Sequence, residues 1–291
     1  MDSNSFPIYI VDAFTTKAFG GNAAGVVIVP HEQTLSDETM QSIASELNKP
    51  MTAFIRPASS QQPCARYSLQ WFNPRQRAKF CGHATLAAGH VLLTELNLPF
   101  PTVTMDSPVG DVDISRTGTA GSLSLSFPLS PVEHIERPME HHRALLHSLV
   151  SPGQLAGRPV AYYYSQAIND VLVHIDGMAA DELAALEYCH GVATEEAGRA
   201  LGARAVVFVS GGSKDDARYD SVARVFGLEN GGEEDQVTGS AHTAIAALLG
   251  RDRIRARQCS RRGGDLLVER KGDRVIITGD SVTIVCGTMK I

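Results

Sequence analysis

Two short stretches carry residue types and spacings suited to chemistry. Cys81-Gly82-His83-Ala84-Thr85-Leu86-Ala87-Ala88 and Thr238-Gly239-Ser240-Ala241-His242-Thr243-Ala244-Ile245 each set a glycine turn ahead of an alanine-rich run of about three helical turns. A glycine turn that opens a helix presents free backbone N–H groups together with the positive end of the helix dipole, which suits a carboxylate or a phosphate. Side chains at the two turns, Cys81, His83, Asp235, Thr238 and Ser240, are then placed for proton transfer or nucleophilic work. Two such turns facing each other across a cleft would clamp one small anionic metabolite, with Gly82 and Gly239 supplying backbone donors. The same pattern also suits ordinary buried helix starts with glycine for close packing, and spacing alone does not choose.

The elements that must hold these turns follow from periodicity. Ile8, Ile10 and Phe14 alternate with Tyr9, Val11 and Ala13 as in a strand. A turn at Phe19-Gly20-Gly21-Asn22 leads into a β-branched run, Val26 to Val29. Ser36 is a good N-cap, Asp37 and Glu38 suit the positive helix end, and Met40, Ile43, Ala44 and Leu47 recur at helical spacing until Asn48 and Pro50. Tyr67, Leu69 and Trp71 alternate through another strand that Pro74 closes, and Gly82 to Leu96 reads as one small-residue helix.

The second half repeats the theme. Strands are expected at Tyr162–Ser165, Val171–Ile175 and Ala205–Ser210, and helices at Ala180–Leu186, Thr194–Leu201 and Gly239–Gly250. Hairpin-like strands follow at Ile254–Ser260, Asp265–Glu269, Arg274–Thr278 and Val282–Cys286. One glycine turn and alanine-rich helix per half points to duplicated α/β domains. The stretch from Gly110 to His141, with Pro128, Pro131 and Pro138, is the expected crossing, giving domains 1–128 and 129–280, with 281–291 a candidate to return to the first.

Composition narrows the function classes. The 291 residues are 43% hydrophobic and 20% charged, with a net charge of -6, so a general nucleic-acid binder is disfavoured. No basic and apolar leader opens the chain and no apolar run reaches the roughly 18 residues of a membrane helix, so a cytoplasmic location and no membrane partner are expected. The five cysteines are widely spaced without a CxxC, which favours reduced thiols. His134, Glu140, His141, His142 and His147 cluster without a metal-ligand spacing and read as solvated residues; no metal is expected. Arg251, Arg253, Arg255, Arg257, Arg261 and Arg262 form a basic stretch whose alternation with Ile254 and Ala256 suits the solvated face of a strand. No P-loop, GxGxxG or GxSxG is present, which leaves nucleotide cofactors and serine-hydrolase chemistry without support.

Several segments in order resemble the PhzF family, the phenazine-biosynthesis isomerase-like proteins, over nearly the whole chain. They are Val11-Asp12-Ala13-Phe14-Thr15, Phe19-Gly20-Gly21-Asn22-Ala23-Ala24, Ile43-Ala44-Ser45-Glu46-Leu47-Asn48, Thr52-Ala53-Phe54, Trp71-Phe72-Asn73-Pro74, Cys81 to Leu86, Glu234 to His242 and Gln258 to Gly264. The resemblance implies an α+β, diaminopimelate-epimerase-like fold: two similar domains, each a curled, mostly antiparallel sheet around a central helix, with the active site between them. It also implies a cofactor-independent isomerase, often homodimeric, that moves a proton along a small carboxylic acid. The family's histidine and aspartate match His83 and Asp235. Asn22 and Ser107, near glycine turns of the first half, are further candidates to line the cleft.

One position departs from the family pattern. Where the family reads Asn-x-Ser-Glu before Thr-Ala-Phe, this chain reads Asn48-Lys49-Pro50-Met51, so Met51 stands where the catalytic glutamate is expected. A thioether cannot relay a proton, and general acid–base catalysis supplies about 10²–10⁴-fold, or roughly 3–5 kcal/mol of barrier. Cys81, His83 and Asp235 are the candidates to carry the proton instead. A helix N-terminus lowers a thiol pKa, which suits Cys81. The alternatives are a cyclisation or rearrangement run by binding and orientation, with Met51 as an apolar filler, or a binding protein without turnover.

Overall fold

The computed structural model describes residues 5–119, 121–137, 140–149, 152–155, 157–188, 192–212, 217–228 and 232–291. Of the residues named above, Pro138 lies outside this set, as does the His147 side chain. The chain divides into two compact units, Met1–Phe127 with Ile276–Ile291, and Pro128–Val275.

In chain order the elements of the first half are β1 (Ser5–Ala13), β2 (Asn22–Ile28), α1 (Asp37–Leu47), β3 (Met51–Pro57), β4 (Arg66–Phe72), β5 (Arg77–Ala78), α2 (Gly82–His90), β6 (Thr102–Ser107), β7 (Gly110–Arg116) and β8 (Ser122–Pro128). The rest are β9 (Glu133–His134), α3 (Glu140–Leu149), β10 (Val160–Ser165), β11 (Asp170–Ile175), α4 (Ala180–Ala184), α5 (Val192–Leu201), β12 (Ala205–Ser210), β13 (Ser221–Gly227), β14 (Glu233–Asp235), α6 (Gly239–Leu249), β15 (Arg253–Gln258), β16 (Gly264–Lys271) and β17 (Arg274–Lys290).

In the first unit β1, β2, β3, β4, β6, β7 and β8 pair in that order, and β17 pairs with both β8 and β1, so the sheet curls and closes. All nine residues of α2 are buried. Trp71 stands opposite Ala53 in the β3–β4 register, and its indole N–H donates to Thr85 Oγ1 of α2 at 3.1 Å. The face of the sheet that carries Ala53 and Trp71 therefore looks onto α2. Close approach explains the small residues: a Cβ at Gly279 would lie 2.4 Å from Phe14 Cδ1, and one at Gly89 2.5 Å from Ile114 Cγ2. The opposite face packs Val27, Phe54 and Phe72 against Met40, Ile43 and Ala44 of α1. That helix starts as expected, with Ser36 Oγ accepting the Thr39 N–H at 3.2 Å, and ends at Asn48 with φ +48°.

The second unit repeats the pattern. β10–β11 is antiparallel, β11–β12 parallel, β12–β13 antiparallel, β13–β15 parallel and β15–β16 antiparallel. The first unit shows the same alternation from β1 to β7, with β5 against β4 as β14 is against β13. Ala241, Ala244 and Ile245 of α6 pack on Val207, Ala223 and Val225, one face of this sheet. Val206, Phe208, Val222 and Phe226 point the other way, into a second cluster with Leu145, Leu183 and Ala197 of α3, α4 and α5. The duplication read from two glycine turns thus extends to strand order and direction.

Three expectations change. The helix from Gly82 ends at His90 and continues as a π-type turn, Val91–Glu95, in which the Leu96 N–H donates to Val91 O at 2.9 Å. Arg274–Thr278 and Val282–Cys286 form one strand, since Gly279-Asp280 passes through the sheet rather than turning; Thr15 N–H donates to Asp280 O there. The stretch Gly110–His141 contains β7, β8 and β9, and the chain passes from the first unit to the second within it, at Phe127–Pro128. Finally, His142 is not solvated: it is buried, its ring lies 6.1 Å from that of Tyr162, and burial first and His141 second lower its pKa.

The arginine stripe follows its expected alternation on β15, where Arg253 and Arg255 are exposed and Ile254 and Ala256 buried. Its cations pair with acids across the surface, Arg255 with Asp220 at 3.0 Å and Arg257 with Asp265 at 2.8 Å.

Candidate active site

Cys81 is the N-cap of α2, with extended backbone (φ -154°, ψ 110°), and its own side chain makes no capping bond. That leaves Sγ available to His83, whose Nδ1 lies 3.3 Å away. Asn22, the first residue of β2, places its Nδ2 at 3.2 Å from the same ring nitrogen. An amide N–H aimed at Nδ1 makes that nitrogen an acceptor, and its single lone pair is shared between this N–H and the Cys81 thiol. All three side chains are buried, at 0% for Asn22 and 7% for both Cys81 and His83.

Sheet register adds Met51 to this group. Met51 stands opposite Ala24 in the parallel β2–β3 pair, and Ala24 lies two residues after Asn22. Strand alternation therefore puts Met51 on the same inward face as Asn22, Ala24 and Ala53. Ser107 has the inward parity of Val103 and Met105, but its hydroxyl closes the β6–β7 hairpin, donating to Gly110 O at 2.7 Å, rather than meeting Asn22, Cys81 or His83.

Sequence reasoning missed two residues that fix this helix start. Thr85 Oγ1 donates to Cys81 O at 2.7 Å while accepting the Trp71 indole N–H. Asp12, 2% exposed, accepts the Phe19 N–H at 2.7 Å and so pins the turn that leads to Asn22, where Phe19 holds φ +68°. Within that turn Gly21 is required, because a Cβ there would meet Ala13 O at 2.0 Å. An isolated threonine inside an apolar helix is the signal that was available for Thr85.

The second helix start is built on the same plan. Thr238 is the N-cap of α6 and its hydroxyl donates to Asp235 Oδ2 at 2.5 Å. His242, four residues on, places Nδ1 2.9 Å from Thr238 O, as Thr85 holds Cys81 O in the first unit. Burial pushes the His242 pKa down to about 4, so the ring is neutral and Nδ1 carries the donated proton. Gln258, wholly buried and not anticipated, accepts the Thr238 N–H at 2.8 Å and donates to Asp235 O at 2.7 Å. Ser240 follows Gly239 at the second position of the helix and receives a hydrogen bond from Arg204 at 3.3 Å.

The structure thus gathers Asn22, Met51, Cys81, Gly82 and His83 at one helix start, and Asp235, Thr238, Gly239 and Ser240 at the other. A cavity of about 770 Å³ in the second unit is a separate feature, lined by Tyr188, Arg224, Glu234, Gln236, Ser260 and Arg261. Arg224 lies on β13 with the parity of Val222 and Phe226, the face turned away from α6. Among the described residues no three His, Cys, Asp or Glu side chains converge as a metal site. Among the described residues no helix is long and apolar enough to cross a membrane.

Residues 11–287 match the family model for phenazine biosynthesis-like proteins, PhzC-PhzF. A phenazine biosynthesis-like domain-containing protein of Mus musculus is 34% identical over 97% of this chain and 98% of its own. An uncharacterized isomerase of Pseudomonas aeruginosa is 32% identical over 98% of each chain. The crystal structure of a PhzF-family protein from Enterococcus faecalis superimposes with a TM-score of 0.80 at 29% identity, covering 99% of this chain and 100% of the other.

Proposed function

Because this chain belongs to the PhzC-PhzF family of phenazine biosynthesis-like proteins, we propose that it is a cofactor-independent isomerase that moves a proton on a small carboxylate-bearing metabolite. Cys81, His83 and Asp235 carry the proton, and Thr238 and Ser240 belong to the helix start that receives negative charge. The observation that carries this reading is the 3.3 Å approach of Cys81 Sγ to His83 Nδ1 on the face shared with Met51. Nδ1 takes the thiol proton as the Asn22 amide N–H gives way, leaving a thiolate and an imidazolium. The thiolate removes a carbon-bound proton beside the carboxylate, and one proton is returned to another carbon of the same molecule. Backbone N–H groups of the helix turns stabilise the charge that develops on the carboxylate oxygens.

The experiment is deuterium incorporation from D₂O into a panel of conjugated and α-substituted carboxylic acids, followed by NMR. Exchange by the wild type that is lost in Asp235→Asn and His83→Ala supports the reading. A second reading rests on Met51 itself: a flexible apolar side chain in place of an acid suits a substrate that is cyclised or rearranged without net proton relay. Turnover of a panel member with no deuterium gained would favour it, and binding without turnover would favour a non-catalytic role.

A further inference from the structure

The corresponding positions of the two units assign a role to Arg204. Asn22, first residue of β2, touches His83, second residue of α2. The equivalent strand in the second unit is β11, whose first residue is Asp170, and the second residue of α6 is Ser240. Here the link runs through an intermediary: Arg204 Nη2 donates to Asp170 Oδ2 at 2.6 Å and to Ser240 Oγ at 3.3 Å. Its Nε donates to Ile168 O at 3.1 Å, which fixes the plane of the guanidinium. Asp170 is fully buried, whereas the Arg204 side chain keeps 37% of its surface exposed.

We infer that Arg204 is a positioning residue that turns the Ser240 hydroxyl proton toward a bound carboxylate; this rests on the function proposed above. A hydroxyl has one proton and two lone pairs. The Arg204 N–H takes a lone pair of Ser240 Oγ, so the O–H is left to donate elsewhere. Among the described residues no acceptor receives it. The nearby backbone donors of Gly239 and Ser240 mark where an anion is stabilised, so the hydroxyl joins them as a further donor. The charge of Arg204 is balanced by Asp170, and its contribution is therefore orientation rather than net positive potential.

The test uses the full chain and sodium benzoate as the probe, with sodium chloride at equal ionic strength as the control. Benzoate affinity is read by thermal-shift titration in the wild type, Ser240→Ala, the paired variant Asp170→Asn with Arg204→Gln, and the triple combination. The paired variant avoids leaving the buried Asp170 charge without its counter-ion. Since a hydrogen bond to a charged group is worth roughly 1.5–3 kcal/mol, Ser240→Ala is expected to weaken benzoate by about tenfold or more. The paired variant should show a similar loss, and adding it to Ser240→Ala should cost nothing further. Arg204→Lys, which retains a donor but not the fork, should recover part of the affinity. A paired variant with wild-type affinity, alongside a weakened Ser240→Ala, overturns the role of Arg204 and leaves the proposed function standing. A wild type that does not respond to benzoate beyond chloride overturns both.

Discussion

Cys81 Sγ and His83 Nδ1 stand 3.3 Å apart at the first turn of α2, and Asn22 Nδ2 approaches the same nitrogen at 3.2 Å. The amide fixes which ring nitrogen is an acceptor, and the thiol is the acid within its reach. Serine is close to isosteric but holds its proton far more tightly. Cys81→Ser is therefore expected to lower deuterium exchange into a turned-over carboxylic acid by about 10²–10⁴-fold with little change in stability. Exchange at the wild-type rate in that variant would remove the thiol from the chemistry.

Met51 offers the converse experiment. It opens β3 opposite Ala24, on the inward face that also carries Asn22. A carboxylate there would share the sheet face of Asn22, which touches His83, and Met51 is only half-buried, so Met51→Glu can keep its charge hydrated. The variant is expected to gain about 10²-fold in deuterium exchange, the lower end of what a positioned general base supplies. No gain, in a folded protein whose Cys81 is still reactive toward iodoacetamide, would mean that the rest of the site no longer serves proton transfer.

Much of this arrangement is legible in the sequence. The α1 boundaries follow from Ser36 and Asn48, because caps act through neighbours a few residues away. The twin glycine turns and their alanine-rich helices were visible because burial inside a curled sheet tolerates little else. What stayed hidden depends on contacts across the sheet. Thr85 and Gln258 make their hydrogen bonds to groups 14 and 20 residues away, Trp71 and Thr238, and no local period encodes those. The single strand through Gly279 was read as two for a similar reason. A glycine beside an aspartate signals a turn locally, whereas here it admits the Phe14 ring.

Thr85 tests whether that hidden layer matters. It accepts the Trp71 indole N–H and donates to Cys81 O, so it ties the sheet to the cap of α2. Thr85→Val keeps the shape and leaves a fully buried indole N–H without an acceptor. The expected loss is about 1–3 kcal/mol in urea unfolding, the cost of an unsatisfied buried donor. Cys81 should also react with iodoacetamide at a changed rate, since its carbonyl is left with the Thr85 backbone N–H, at 3.2 Å, and without the hydroxyl. A stability within about 0.5 kcal/mol of the wild type would mean that the indole finds another partner.

His242 predicts how the second unit responds to acid. Burial holds its pKa at about 4 against an ordinary value of 6.5, and the bond to Thr238 O offsets only part of that shift. The unfolded chain therefore takes up this proton at a higher pH than the folded one. Stability from this group is complete above about pH 6.5, declines as the pH falls to about 4, and is flat below that. At about 1.36 kcal/mol per pH unit the whole decline is roughly 3 kcal/mol. His90, His142 and His174 are also shifted down by burial, so the wild-type curve alone does not isolate His242. The difference between wild type and His242→Gln does: unfolding free energies should fall more steeply from pH 7 to pH 4.5 in the wild type. Gln is chosen because its amide N–H still reaches toward Thr238 O without titrating. Parallel pH curves for the two proteins would show that His242 is solvated or already protonated in the folded state, contrary to its burial inside α6.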